Sequence, residues 1–220
     1  MKNKKQSIKI CVLSIICVIM VFLMDMLGCN YWLRSGIKIA CVVTTCLLCG
    51  DNIINYFKNP KWHEIKFALG LGFTLISFAC LIVFPILKHF DFSKLTQGLG
   101  KMSIDTDSYW FVTTYIVLIN SCLEEILFRG LCCKTLERYA NKRFAWFFSI
   151  GLFSMYHLTM LINIMQPLLI CLCLLGLSLA GLIFNLLNRG NNNIYNSWIV
   201  HGLANVAINS IGWMLLKGVV

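Results

Sequence analysis

Three short clusters hold most of the side chains in this sequence that could do chemistry within an otherwise apolar chain. The first is SCLEEILFRG, Ser121 to Gly130, where Glu124, Glu125 and Arg129 interrupt a hydrophobic run. The second pairs Phe153 with His157 at i, i+4, and the third pairs His201 with Asn205 at the same spacing, with Asn209 continuing the row. A carboxylate, two imidazoles and carboxamides are groups that can accept and donate protons or hydrogen bonds in a site, with a carboxylate in apolar surroundings suited to general-base work.

The first cluster sits in an apolar stretch, Tyr109 to Cys133, of 25 residues, long enough to cross a bilayer. Ionisable groups carried into hydrocarbon cost roughly 2.5 to 3.5 kcal/mol each on insertion scales, and they mark pathways, relays or catalytic sites. At about 100° per residue, Glu124 and Glu125 point to different helix faces, whereas Glu125 and Arg129 at i, i+4 face one another. Arg129 is therefore expected to neutralise Glu125. Glu124 is left without a partner on its own helix, with Asn120 one turn earlier as a hydrogen-bond neighbour. Apolar surroundings favour the neutral form of a carboxyl group, which suits a general base, and a nearby cation opposes that.

The elements that must position these groups are membrane spans. The chain has 220 residues, 59% hydrophobic and 13% charged, too apolar for a soluble domain. The expected fold is all-α, a single polytopic bundle of about seven (six to eight) transmembrane helices. The apolar runs are Ile10 to Gly28, Ile39 to Cys49 extended back toward Tyr31, Phe67 to Leu87, Tyr109 to Cys133, Phe144 to Ile164, Leu168 to Leu187 and Trp198 to Leu216. The second is the weakest, because it takes in Arg34 and Lys38. Arg34 can snorkel, while Lys38 either pairs within the bundle or reports a tilted, partly interfacial helix. Asp25 reads as interfacial. The first run lacks a small-residue cleavage site and is read as a retained span rather than a signal peptide.

Charge gives the orientation. Of the 19 Lys and Arg, twelve fall before the first run or in the connections Asp51 to Lys66, Lys134 to Arg143 and around Arg189. Five fall on the opposite side. This bias places the N-terminus and those basic connections in the cytoplasm, and it accounts for the net charge of +10 without a nucleic-acid partner. The segment Lys134 to Arg143 reads as a basic membrane-surface stretch. The twelve cysteines lie mostly inside apolar runs and read as small hydrophobes.

With a rise of 1.5 Å per residue, Glu124 lies about 15 Å from the cytoplasmic end of its span, His157 about 18 Å into its own and Asn205 about 10 Å into the last. Taken singly, each cluster could be a structural polar contact. Placed at similar depth on three helices, they are what a site between bundle helices requires.

EEILFR at Glu124 to Arg129 resembles the EExxxR signature of the CPBP intramembrane metalloproteases, the family of CAAX prenyl endopeptidases and bacteriocin-processing or immunity (Abi) proteins. FSMYH at Phe153 to His157 matches its FxxxH motif, and HGLAN at His201 to Asn205 matches its third, in order on successive spans. The resemblance covers residues 109–216, the expected catalytic core. It implies intramembrane hydrolysis of a peptide bond in a membrane-associated peptide or protein. Glu124 and His157 would activate water, His201 and Asn205 would stabilise the oxyanion, and Glu125 with Arg129 would brace the helix.

A divalent metal such as zinc, with Glu124, His157 and His201 as candidate ligands, is an open alternative to a metal-free glutamate mechanism; there is no HExxH. Two other function classes stay open: a bacteriocin self-immunity protein acting by binding, and a small transporter or proton relay. The Lys, Asn and Ile rich composition looks bacterial, which favours pheromone or bacteriocin precursors as cargo over prenylated proteins.

Overall fold

A computed structural model of the chain describes residues 3–83, 85, 108–162, 167–190 and 193–217, and every regular element among them is helical. The ends of the expected runs Phe67 to Leu87 and Phe144 to Ile164, the residues between Leu87 and Ser108, and loop positions Asn191 and Asn192 lie outside the described residues. The helices are α1 (Lys4–Met26), α2 (Tyr31–Leu48), α3 (Trp62–Phe78, continued by a π turn over Ala79–Val83), α4 (Tyr109–Tyr139), α5 (Lys142–Ile162), α6 (Pro167–Leu187) and α7 (Tyr195–Leu216). A short 3-10 segment, Ile53–Phe57, follows α2.

Among the described residues, α1 to α6 are long and apolar enough to cross a membrane. Helix α7, expected as the last span, is not among these six; it carries Asn196, His201, Asn205 and Asn209 on a single helix. The protein is an all-α polytopic membrane protein. Large apolar side chains face outward along its helices, Phe73, Phe147, Leu168 and Leu175 among them, as lipid-facing surfaces require. Cys17, Cys46 and Cys132 are buried, and all twelve cysteines are free thiols.

The chain divides into two compact units, residues 1–60 with 123–197, and residues 61–122 with 198–220. In the first, α1 and α2 form a hairpin. Gly28 takes φ +65 at the turn, a conformation that favours glycine, and the Asn30 side chain caps α2 by accepting from Leu33 N at 2.8 Å. Arg34 and Asp25 meet there, with Arg34 Nη1 2.5 Å from Asp25 Oδ1. At the other end of the hairpin Gln6 Nε2 donates to Cys49 O at 2.6 Å. The second half of α4 forms the core of this unit, and Leu123 to Cys133 is buried without interruption. It continues past Cys133 to Tyr139, so the front of the basic segment is helical, with Thr135 and Leu136 buried and Arg138, Lys142 and Arg143 exposed.

A polar clip fixes that end of α4. Tyr56 OH donates to the Asp51 carboxylate, Thr135 Oγ1 donates to Asp51 Oδ2 at 2.5 Å, and the Tyr56 and Thr135 hydroxyls are 2.9 Å apart. Burial first, and then the Asp51 charge, push the Tyr56 hydroxyl well above its usual range, so it remains a donor. Gly130 makes the contact sterically feasible: a Cβ there would stand 2.5 Å from Tyr56 Cε2. Ile194 N donates to Tyr56 O at 3.0 Å, which ties the loop before α7 to the same clip.

In the second unit, the start of α7 packs on the first half of α4. Trp198 Nε1 donates to Leu118 O at 3.1 Å, and Tyr109 OH donates to Asn209 O at 2.5 Å. Gly202 allows the close approach, since a Cβ there would lie 3.0 Å from Val117 O.

Candidate active site

Helix α4 is not a regular α-helix around its glutamates. A single α turn, Ser121–Glu125, is bracketed by π-helical stretches over Ile116–Asn120 and Ile126–Thr135. Such widened turns re-aim side chains and recur at functional sites. Glu124 and Glu125 are both buried and diverge to different partners.

Glu125 behaves as its spacing predicted. Its Oε2 is 3.5 Å from Arg129 Nε, and both side chains are enclosed. The guanidinium lies in an aromatic cage, with Cζ 4.1 Å from the Phe153 ring centroid and 4.9 Å from that of Phe184. Cation–π contacts of this desolvated kind are worth roughly 2 kcal/mol. The first residue of the FSMYH motif thus has a physical job: its ring stacks on the cation of the first motif.

Phe153 also acts through its backbone. His157 Nδ1 is 2.9 Å from Phe153 O, and a carbonyl can only accept, so Nδ1 carries a proton in this bond, and in the neutral ring Nε2 is the acceptor. Nε2 faces Glu124, 3.6 Å from Oε2. The other carboxylate oxygen, Oε1, is 2.8 Å from Lys38 Nζ on α2, and both side chains are buried. The ammonium also sits 4.6 Å from the centroid of the Tyr156 ring. Lys38 therefore pairs within the bundle, which resolves the alternative left by the sequence. A narrow crevice lined by Val18, Val42, Leu127 and Tyr156 borders the pair.

The residues expected to act together lie in both units. Glu124, His157, Glu125 and Arg129 belong to the first, and within it Glu124 meets His157 while Glu125 meets Arg129. His201 and Asn205 belong to the second, one turn apart on α7. There His201 is buried, Asn205 is half-buried, and the Asn205 carbonyl accepts from Asn209 Nδ2 at 2.8 Å. Lys38 is the participant that sequence reasoning did not assign. Its signal was a lysine in the middle of an otherwise apolar helix.

Of the three candidate zinc ligands, Glu124 and His157 face one another within the first unit, and His201 belongs to the second. The Lys38 ammonium, moreover, already holds one oxygen of Glu124.

Residues 106–207 match the family model described as type II CAAX prenyl endopeptidase Rce1-like. That stretch contains all three motifs, and the match agrees with their resemblance to the CAAX protease family. No curated protein and no solved structure matches the chain.

Proposed function

We propose that the chain is an intramembrane endopeptidase that hydrolyses a peptide bond of a membrane-associated peptide or protein with water activated by Glu124 and His157. The observation that carries this reading is the facing of Glu124 Oε2 and His157 Nε2 across 3.6 Å. With Nδ1 protonated, both facing atoms are acceptors. A water that donates one O–H to each would be held with its lone pairs directed away from both, ready to attack a carbonyl carbon. Glu124 takes the water's proton and later delivers it to the leaving amine, the general-base and general-acid roles of one group.

Lys38 is a positioning residue in this reading. Bound to Oε1, it fixes the carboxylate plane so that Oε2 points at His157. His201 and Asn205 are proposed as the donors that stabilise the oxyanion, and residues 109–216 as the catalytic core. The N-terminus is proposed to be cytoplasmic, from the excess of Lys and Arg in the connections assigned to that side, and the chain to be bacterial.

Comparing peptide termini in cells carrying the intact chain and cells carrying Glu124→Gln tests the function and finds the substrate together. New termini that depend on Glu124 are expected. Identical peptide pools in the two cell types would leave the binding-only immunity reading in its place.

A further inference from the structure

A cavity in the first unit lies away from the Glu124 pair. It has a volume of about 500 Å³ and opens where α4, the start of α5 and the end of α6 meet the Tyr56 segment. Its charge is one-sided: six Lys and Arg side chains line it, against Glu137 as the one carboxylate in the lining. Glu137 is engaged by Trp146 Nε1, which donates to it.

The floor is made of donors. Arg129 is 1% exposed, and its Nη1 and Nη2 have no hydrogen-bond partner among the described residues. Its charge is met by Glu125, 3.5 Å from Nε, and by the Phe153 and Phe184 rings, which leave Nη1 and Nη2 without an acceptor among the described residues. Asn185, 3% exposed, adds an Nδ2 that likewise has no acceptor among the described residues, while its Oδ1 is 3.5 Å from Ser149 Oγ. Buried donors in native proteins are nearly always paired, so three of them, on two residues lining one cavity, mark the place of an acceptor.

The rim is cationic. Lys134 Nζ donates to Asn188 O at 3.0 Å, and Lys58, Arg138, Lys142 and Arg189 stand exposed around the mouth. A guanidinium fork and an amide below, with several cations above, suit a ligand that has many acceptor oxygens and more than one oxygen to spare for the fork. A basic cavity between spans at the membrane face is where lipid headgroups bind.

We propose that this cavity binds a phosphate-bearing anion, supplied either by the headgroup of an anionic lipid or by free phosphate. The site stands on different residues from the Glu124 and His157 pair, and it holds whether or not that pair cuts peptides.

The test uses the full chain reconstituted in phosphatidylcholine with and without phosphatidylglycerol, with lipid retention read by native mass spectrometry. In parallel, inorganic phosphate is added to the chain in neutral detergent and the melting temperature is followed. Preferential retention of phosphatidylglycerol assigns the headgroup, and a phosphate-dependent rise in melting temperature without such retention assigns free phosphate. Arg138→Gln and Arg189→Gln, both at exposed positions, should each weaken binding about fivefold, and Arg189→Lys should largely retain it. Asn185→Asp, which puts a carboxylate on the floor, should abolish it. Neither anion binding, or binding undiminished in the Arg138→Glu, Arg189→Glu double variant, would overturn the proposal.

Discussion

Lys38 on α2 and Glu124 on α4, 86 residues apart in sequence, form a buried ion pair with Nζ 2.8 Å from Oε1. The lysine lies outside the stretch matched to the CAAX endopeptidase model, residues 106–207. The first half of the chain is therefore more than an anchor, because it supplies the cation that orients the proposed base. Removing one partner of a buried pair strands the other charge at a cost of about 3 to 5 kcal/mol, whereas removing both costs far less. Lys38→Met should therefore lower the melting temperature more than the Lys38→Met, Glu124→Gln double variant does. It should also lower cleavage by roughly 10²-fold, the scale of a 1 Å misplacement of a catalytic group.

His157 is predicted to act on the rate rather than on binding. His157→Gln should reduce kcat by about 10²- to 10⁴-fold, the range for a lost acid–base partner, while KM changes little. Steady-state cleavage of a fluorogenic peptide reads both constants. A rise in KM at unchanged kcat would assign His157 to substrate binding.

Gly130 is predicted to be intolerant of any side chain. The Cβ of Gly130→Ala would press into the Tyr56 ring, and overpacking of this kind costs about 1 to 3 kcal/mol. Adding Tyr56→Leu should recover part of the loss, as thermal unfolding in detergent can show.

Tyr56 gives a pH signature. Burial and Asp51 raise its folded-state value above the ordinary value of about 10. Its contribution to stability is thus present below about pH 10 and is lost as pH rises beyond it, where the unfolded chain releases a proton that the folded chain keeps. Tyr56→Phe should flatten the fall in melting temperature on the alkaline side, and an unchanged slope would count against the clip.

Much of this was legible in the sequence because its signals are local. The apolar runs mark the helices, since each must satisfy its own backbone in lipid, and i, i+4 spacing brings Arg129 to Glu125. The Lys38 to Glu124 pair was not legible, because nothing local records which helix lies beside which. The π-helical turns of α4 were also hidden: a fixed 100° per residue separates Glu124 from Glu125 correctly but gives no sign of the widened turns on either side. The helical continuation through Thr135 and Leu136 depends on Tyr56, a partner far away in sequence.

The most direct test of the account is the cleavage rate of the purified chain carrying Glu124→Gln in a bilayer, with Lys38→Met added so that no lone buried charge disturbs the fold. The account predicts a protein that keeps its helical circular dichroism and loses cleavage by at least about 10²-fold. Cleavage at the rate of the intact chain would contradict it.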